Sequence, residues 1–238
     1  QKENARYHDA ATRYIERRLA EIEDPVERDQ TEAAYYQSVQ AKGMGADVVA
    51  FPEAALTAFF PHWYTEDDAE VDRWFEAEMP GPQTQPLFDE ARRLGIGFHL
   101  GYCELDRTSA RKRRFNTAIL VDAQGRIIGK YRKIHLPGHA DHRPQTPFQN
   151  LEKRYFEVGD LGFGAWRAFG GIAGMIICND RRWPESYRVL GLQGVEMVFC
   201  GYNTPVHHPA APDHDRLGQF HNELSMQSGA YQNSTWVV

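Results

Sequence analysis

Gly174-Met-Ile-Ile-Cys178-Asn-Asp-Arg-Arg-Trp-Pro-Glu185 is the stretch on which the reading of the whole chain turns. The apolar run 172–177, bounded by glycines, has the length and β-branched content of a buried strand. Residues 180–185 form a turn that opens a helix, with Pro184 near its first positions and acidic Glu185 behind it. Cys178 therefore stands where strand becomes helix. Unpaired N–H groups at a helix start favour negative charge, so this address is expected to lower the thiol pKa and to stabilise a developing oxyanion. The competing reading is a small core residue, because a cysteine after Met-Ile-Ile packs equally well among apolar neighbours.

Outward from that stretch, short apolar runs alternate with helical patterns. Tyr14, Ile15, Leu19 and Ile22 recur at helical spacing, Asp24-Pro25 interrupts them, and a second amphipathic segment carries Tyr35, Tyr36 and Val39. Residues 1–44 thus read as a polar helical N-terminal segment. Gly43 and Gly45 close it, and 46–51 is a short strand stopped by Pro52, with Glu53 the first charge beyond the run. The acidic residues of 66–78 read as the solvated face of a helix. A helix over 86–94 capped by Gly95 leads into a strand over 96–105. Residues 115–121 and 126–134 then make a hairpin around the turn 122–125. Lys133 lies at the end of its second strand. Residues 137–150 are polar, contain three prolines, and form a long loop of the kind that often carries function. A short helix over 151–156, turns over 158–164, a helix through 187–192 and a strand over 195–200 follow. The chain leaves that strand through Gly201-Tyr-Asn-Thr-Pro205, crosses a histidine-rich loop at 206–215, and finishes with a helix over 217–230 and a strand that begins at Ser234.

Helices alternating with short strands predict a layered α/β architecture. In such sheets ligands gather at strand ends, and Glu53, Lys133, Cys178 and Asn203 each follow one apolar run. Composition narrows the partners: 42% hydrophobic and 25% charged residues are ordinary for one globular domain, and a net charge of −6 with interspersed signs gives no pull toward nucleic acid or an anionic membrane. Cys103, Cys178 and Cys200 are widely spaced and odd in number, with two embedded in apolar runs, which fits a reducing compartment. With no run of membrane-spanning length and a polar start, the expectation is a soluble cytoplasmic protein acting on a small molecule. Histidines are many, yet their spacing on Pro- and Gly-containing loops matches no zinc helix motif.

A thiol needs a base to become a nucleophile, and acyl transfer needs positive charge where the carbonyl oxygen will sit. Glu53 is the candidate base; Lys133, helped by the backbone N–H of Asn179, is the candidate oxyanion holder. These residues also carry a resemblance. Phe51-Pro-Glu53, Tyr131-Arg-Lys133-Ile-His-Leu-Pro-Gly138 and Cys178-Asn-Asp-Arg-Arg-Trp-Pro-Glu185 resemble, in order, the three signature blocks of the nitrilase (carbon-nitrogen hydrolase) superfamily. Within it the wording is similar to the N-carbamoyl-D-amino-acid amidohydrolase branch, with further matches at Arg113-Arg-Phe-Asn-Thr117, Phe148-Gln-Asn-Leu-Glu-Lys-Arg-Tyr-Phe156 and Gly201-Tyr-Asn-Thr-Pro205.

The resemblance runs from about residue 45 and makes 45–238 one hydrolase domain. It implies a four-layer αββα sandwich, no cofactor, a Glu-Lys-Cys triad at Glu53, Lys133 and Cys178, and a second glutamate at Glu152. It further implies substrate contacts at Asn179, Arg181, Arg182, Asn203, Thr204 and His135, and a homodimer or homotetramer. Two guanidinium groups beside the nucleophile suit bidentate recognition of a carboxylate. The implied reaction is cysteine-dependent hydrolysis of N-carbamoyl-D-amino acids to the D-amino acid, ammonia and carbon dioxide. Another amidase or ureidopropionase of the superfamily, or a truncated non-catalytic module, are the alternatives. Two departures stand out. The family's first strand and its C-terminal strands are expected to be missing here, and Asn150 occupies a position where the branch has histidine.

Overall fold

The computed structural model describes residues 25–238 apart from 109, 147, 206 and 210. The helical pattern read at Tyr14, Ile15, Leu19 and Ile22 lies outside the described residues. Helix α1 (Pro25–Gly43) ends at glycine and turns Ala34, Tyr35 and Ser38 inward. Two four-stranded sheets follow. The first has β1 (Val48–Ala50), β2 (Gly97–Asp106), β3 (Arg113–Val121) and β4 (Ile127–Arg132) side by side, with β1 parallel to β2 and the others antiparallel. The second orders β5 (Ala165–Ala168), β6 (Gly171–Ile177), β7 (Met197–Gly201) and β8 (Trp236–Val237), antiparallel at β5–β6 and parallel beyond.

Strand alternation builds the layers. On β3, Ala118 and Leu120 face the second sheet, where they meet Ala173, Met175 and Ile177 of β6 and Phe199 of β7. The intervening Ile119 and Val121 face the other way. They pack with Phe98 and Leu100 against Leu87, Phe88 and Ala91 of helix α3 (Gln85–Leu94). The second sheet repeats the device: Ile176, Val198 and Cys200 pack against Tyr187 and Leu190 of helix α5 (Pro184–Leu192). Helix α6 (Asp215–Asn233) lies beside α5. The result is helices, sheet, sheet, helices, the αββα arrangement expected. Among the described residues no helix is long and apolar enough to cross a membrane.

Two elements differ from the sequence reading. The acidic run 66–78 is helical only over α2 (Asp68–Asp72); its Val71 and Phe75 are buried, and Glu76 bridges to Glu104 on β2. Local charge pattern lost there to burial of an aromatic cluster around Phe60. Strand β5 has no alternating signal of its own, and it exists because β6 offers it an antiparallel partner.

Candidate active site

Glu53 is seated by close backbone approach from both sheets. A Cβ on Gly101 of β2 would come within 2.6 Å of Pro52 O and 2.8 Å of the Glu53 Cα, and one on Gly201 of β7 within 2.9 Å of the Glu53 N. Glycine at those positions lets the chain pass between the two sheets. Ala54, the next residue, takes a left-handed φ of 48°, which turns the chain sharply after Glu53.

The Glu53 carboxylate is fully buried and works only as an acceptor. Its Oε1 receives Asn116 Nδ2 at 2.7 Å and Lys133 Nζ at 2.6 Å; its Oε2 receives the Asn203 N–H at 3.2 Å. Asn203 Nδ2 also donates to the Glu53 carbonyl at 2.5 Å. Lys133 follows β4, is itself fully buried, and bridges to Glu152 Oε2 at a second 2.6 Å contact. Glu152 opens the short helix α4 (Glu152–Tyr155). Burial favours the neutral amine at Lys133, but Cys178, Glu53 and Glu152 outweigh it and push its pKa up. Burial lifts Glu152 to about 7, with Lys133 pulling it down and Glu53 pushing it further up.

Cys178 begins a 3₁₀ turn (Cys178–Arg182) directly after β6, at a left-handed φ of 47°. Such a conformation in a non-glycine residue costs on the order of 1 kcal/mol or more and persists where the surroundings fix it. The fixing group is Asp180, buried below the turn. Its Oδ2 accepts the Ile177 N–H at 2.9 Å and the Tyr131 hydroxyl at 2.8 Å, and its Oδ1 accepts the His135 N–H at 2.9 Å and meets His135 Nδ1 at 2.8 Å. One carboxylate thus ties the cysteine turn to both sides of Lys133. The thiol itself is pushed up to about 11, by burial and then by the Glu53 charge, with Lys133 opposing. This corrects the expectation of a lowered thiol pKa. The turn holds five residues and the α-helix starts only at Pro184, so helix-end N–H groups give way to desolvation and a nearby carboxylate.

A cavity of about 720 Å³ opens above this assembly. Cys178, Glu152, Asn179, Arg182, Asn203 and Thr204 line it, while Glu53 and Lys133 lie behind that lining. Two residues expected at the substrate are placed elsewhere. Arg181 is 1% exposed and turned into the protein: Nη1 donates to the Cys178 carbonyl at 2.6 Å, Nη2 to Thr204 Oγ1 at 2.7 Å and also to Asn222 Oδ1 of α6. With internal acceptors filled, it braces the nucleophile turn, and of the two guanidinium groups only that of Arg182 faces the cavity. His135 stacks on Trp183 at 5.2 Å and lines a separate hollow of about 300 Å³. Asn179 touches both spaces and donates its Nδ2 to the His135 carbonyl at 3.0 Å. Asn150 lies at the cavity and accepts the Glu152 N–H at 3.1 Å through its side chain.

Asn116, Asp180 and Asn222 were not singled out from sequence. Asn116 sits inside the quoted Arg-Arg-Phe-Asn-Thr block and Asp180 inside the quoted Cys-Asn-Asp-Arg-Arg block, so a signal existed for both; Asn222 had none beyond polarity. Cys103 and Cys200 are buried in apolar clusters, and burial pushes both thiols up, the behaviour of core residues.

Comparison with known proteins follows the same outline. The carbon-nitrogen hydrolase family model matches residues 8–238. A citrullinase from Francisella tularensis is 28% identical over 201 residues, 84% of this chain and 64% of that protein. An N-carbamoylputrescine amidase from Solanum lycopersicum is 32% identical over 134 residues, covering 55% and 41%, and a nitrilase from Pyrococcus abyssi is 34% identical over 159 residues, covering 67% and 53%. The chain therefore spans less than two thirds of the length of these relatives. Among solved structures, a carbon-nitrogen hydrolase from Helicobacter pylori superposes with a TM-score of 0.75 at 21% identity, over 90% of this chain and 68% of that one. A point mutant of an amidase from Nesterenkonia sp., solved with acrylamide added to its active-site cysteine, gives 0.67 at 17%, over 90% and 72%.

Proposed function

The chain belongs to the carbon-nitrogen hydrolase family, and from that premise we propose that it hydrolyses N-carbamoyl-D-amino acids through a covalent intermediate on Cys178. The observation that carries the reading is the buried Lys133 held at 2.6 Å by both Glu53 and Glu152, directly behind a cavity lined by Cys178 and Arg182. A thiol raised to about 11 is neutral at rest, so it needs a base at the moment of attack. Among the described residues Glu53 Oε2 accepts a single hydrogen bond, at 3.2 Å, and so keeps a lone pair for that proton.

Sulfur then bonds to the ureido carbon, and the oxyanion is met by Lys133 Nζ and the Asn179 N–H. As the carbon–nitrogen bond to the terminal NH₂ breaks, Glu53 returns its proton and ammonia leaves. Water attacks the resulting S-carbamoyl intermediate with Glu53 as base, freeing the thiol and a carbamate, which splits into carbon dioxide and the amino acid. Glu152 steers Lys133 throughout.

The choice of substrate rests on Arg182. Among the described residues its guanidinium has no hydrogen-bonding or ionic partner, and it lines the cavity beside the nucleophile. A cation there favours an α-carboxylate and disfavours an amine such as that of N-carbamoylputrescine, the compound named for one relative. Citrulline, named for another, shares the ureido group and a free carboxylate. Preference for the D series follows the resemblance of the Asn-Asp-Arg-Arg and Tyr-Asn-Thr-Pro wording. The test is a panel of N-carbamoyl amino acids of both hands, N-carbamoylputrescine and simple amides, with ammonia release as the readout and Cys178→Ala as the control. Turnover of N-carbamoyl-D-amino acids that vanishes in the control is expected. Equal or faster turnover of substrates lacking the carboxylate refutes the reading.

A further inference from the structure

The cavity holds a second guanidinium that the reaction above does not use. Arg143 lines it from the loop 137–150, and among the described residues its side chain, like that of Arg182, has no hydrogen-bonding or ionic partner. The carboxylates that share the lining are already matched. Glu152 is bound to Lys133, and Asp215 accepts His207 Nδ1 at 2.6 Å and the His208 N–H at 2.8 Å. Among the described residues, the space above Cys178 is thus left with two unmatched cations and no unmatched anion.

Arg143 is also held in place. The loop is closed at its ends by the His139 N–H donating to the Asn150 carbonyl at 2.9 Å, and Gln149 Oε1 accepts the Arg143 N–H at 2.6 Å. Thr146 closes a turn onto the Arg143 carbonyl through both its N–H, at 3.1 Å, and its hydroxyl, at 2.8 Å. The preceding residue, His142, is stacked on Tyr64 at 3.9 Å, which itself carries Arg154 on its ring at 4.6 Å. His142 and Arg143 lie before the turn at 144–146, and a residue preceding proline favours extended backbone, in which neighbouring side chains point to opposite sides; with His142 stacked against Tyr64, Arg143 lines the cavity. A cation fixed at the backbone loses less freedom on binding than one on a mobile loop.

Resting on the ureido reading above, we propose that Arg143 selects a second acid group, so that the preferred substrates are N-carbamoyl derivatives of amino acids with an acidic side chain. Arg182 takes the α-carboxylate and Arg143 the side-chain carboxylate. A cavity of about 720 Å³ leaves room for that side chain beyond the ureido group.

N-carbamoylglutamate and N-carbamoylglutamine, of both hands, differ in charge with almost no change in shape, and steady-state kinetics on the two isolate Arg143. Wild-type protein is expected to favour the glutamate derivative by on the order of tenfold in kcat/KM, carried by KM. Arg143→Gln brings the ratio close to one, and Arg143→Lys, which keeps the charge, restores part of it. Equal kcat/KM for the two derivatives in wild-type protein, or a preference that survives Arg143→Gln, overturns the proposal while leaving the ureido reading standing. Hydrolysis of simple amides with no turnover of either ureido acid overturns both, and the two failures are told apart by that difference.

Discussion

Glu152→Gln should change how stability depends on pH, and in a direction opposite to the usual carboxylate. A surface glutamate paired with a lysine has a depressed pKa and stabilises the fold as pH rises. Glu152 is lifted from the ordinary 4.5 to about 7, chiefly by burial. The native state therefore holds this proton more tightly than the unfolded chain does. Its contribution is fully present below about pH 4.5 and is lost as pH rises through about 7. At 1.36 kcal/mol per pH unit, the shift corresponds to roughly 3 kcal/mol across that window. Glutamine cannot ionise, so the variant lacks this slope. It also weakens the bond from Lys133, a loss of about 1 to 3 kcal/mol that shifts the whole curve without tilting it. Urea unfolding of both proteins between about pH 5 and about pH 8 measures the difference. Taking the difference removes other titrations, including His99, which burial lowers to about 4 and which therefore tilts stability the opposite way. Relative to wild type, Glu152→Gln should gain stability steadily as pH rises. A difference constant to within about 0.5 kcal/mol over the range refutes the assigned protonation of the site.

Two further outcomes follow from the same geometry. Glu53 raises the Cys178 pKa while serving as its base, so Glu53→Gln should lower hydrolysis at least about a hundredfold yet speed iodoacetamide alkylation of Cys178 near neutral pH; slower alkylation contradicts the electrostatic picture. Gly201→Ala brings a methyl within 2.9 Å of the Glu53 N and 3.1 Å of His99 Cε1, so it should cost about 1 to 3 kcal/mol in thermal unfolding and reduce kcat/KM as well. A stable Gly201→Ala protein with full activity shows that the seat of Glu53 is not tight.

How much of this was legible follows from the range of each interaction. Strand ends were readable because apolar runs stopped by Pro52, by the loop after Lys133 and by the turn after Ile177 are local signals, and the structure gathers Glu53, Lys133, Cys178 and Asn203 at those ends. Asn116 was not assigned a role because its value depends on register. The β2–β3 pairing sets it opposite Cys103 and beneath Glu53, and a slip of one residue would turn it to the other face. The expected role of Arg181 failed for a related reason. Adjacent arginines look equivalent in sequence, but in a tight turn neighbouring side chains diverge, and Asn222 lies 41 residues further on.

The divergence of Arg181 and Arg182 also explains how a strained nucleophile is held without a long helix behind it. The left-handed Cys178 carbonyl is aimed at Arg181 Nη1, and the same guanidinium reaches Thr204 after β7 and Asn222 on α6. Asp180, one residue earlier, ties the turn to the segment around Lys133 on the other sheet. A buried anion and a buried cation side by side thus fasten the cysteine turn to opposite halves of the sandwich. Each has its charge met by several hydrogen bonds, which is the condition under which buried charge holds geometry and does not merely cost desolvation. Any displacement of one sheet relative to the other would load both ends of the site at once, because Asp180 spans the sheets at the cysteine turn and Asn203 spans them at Glu53.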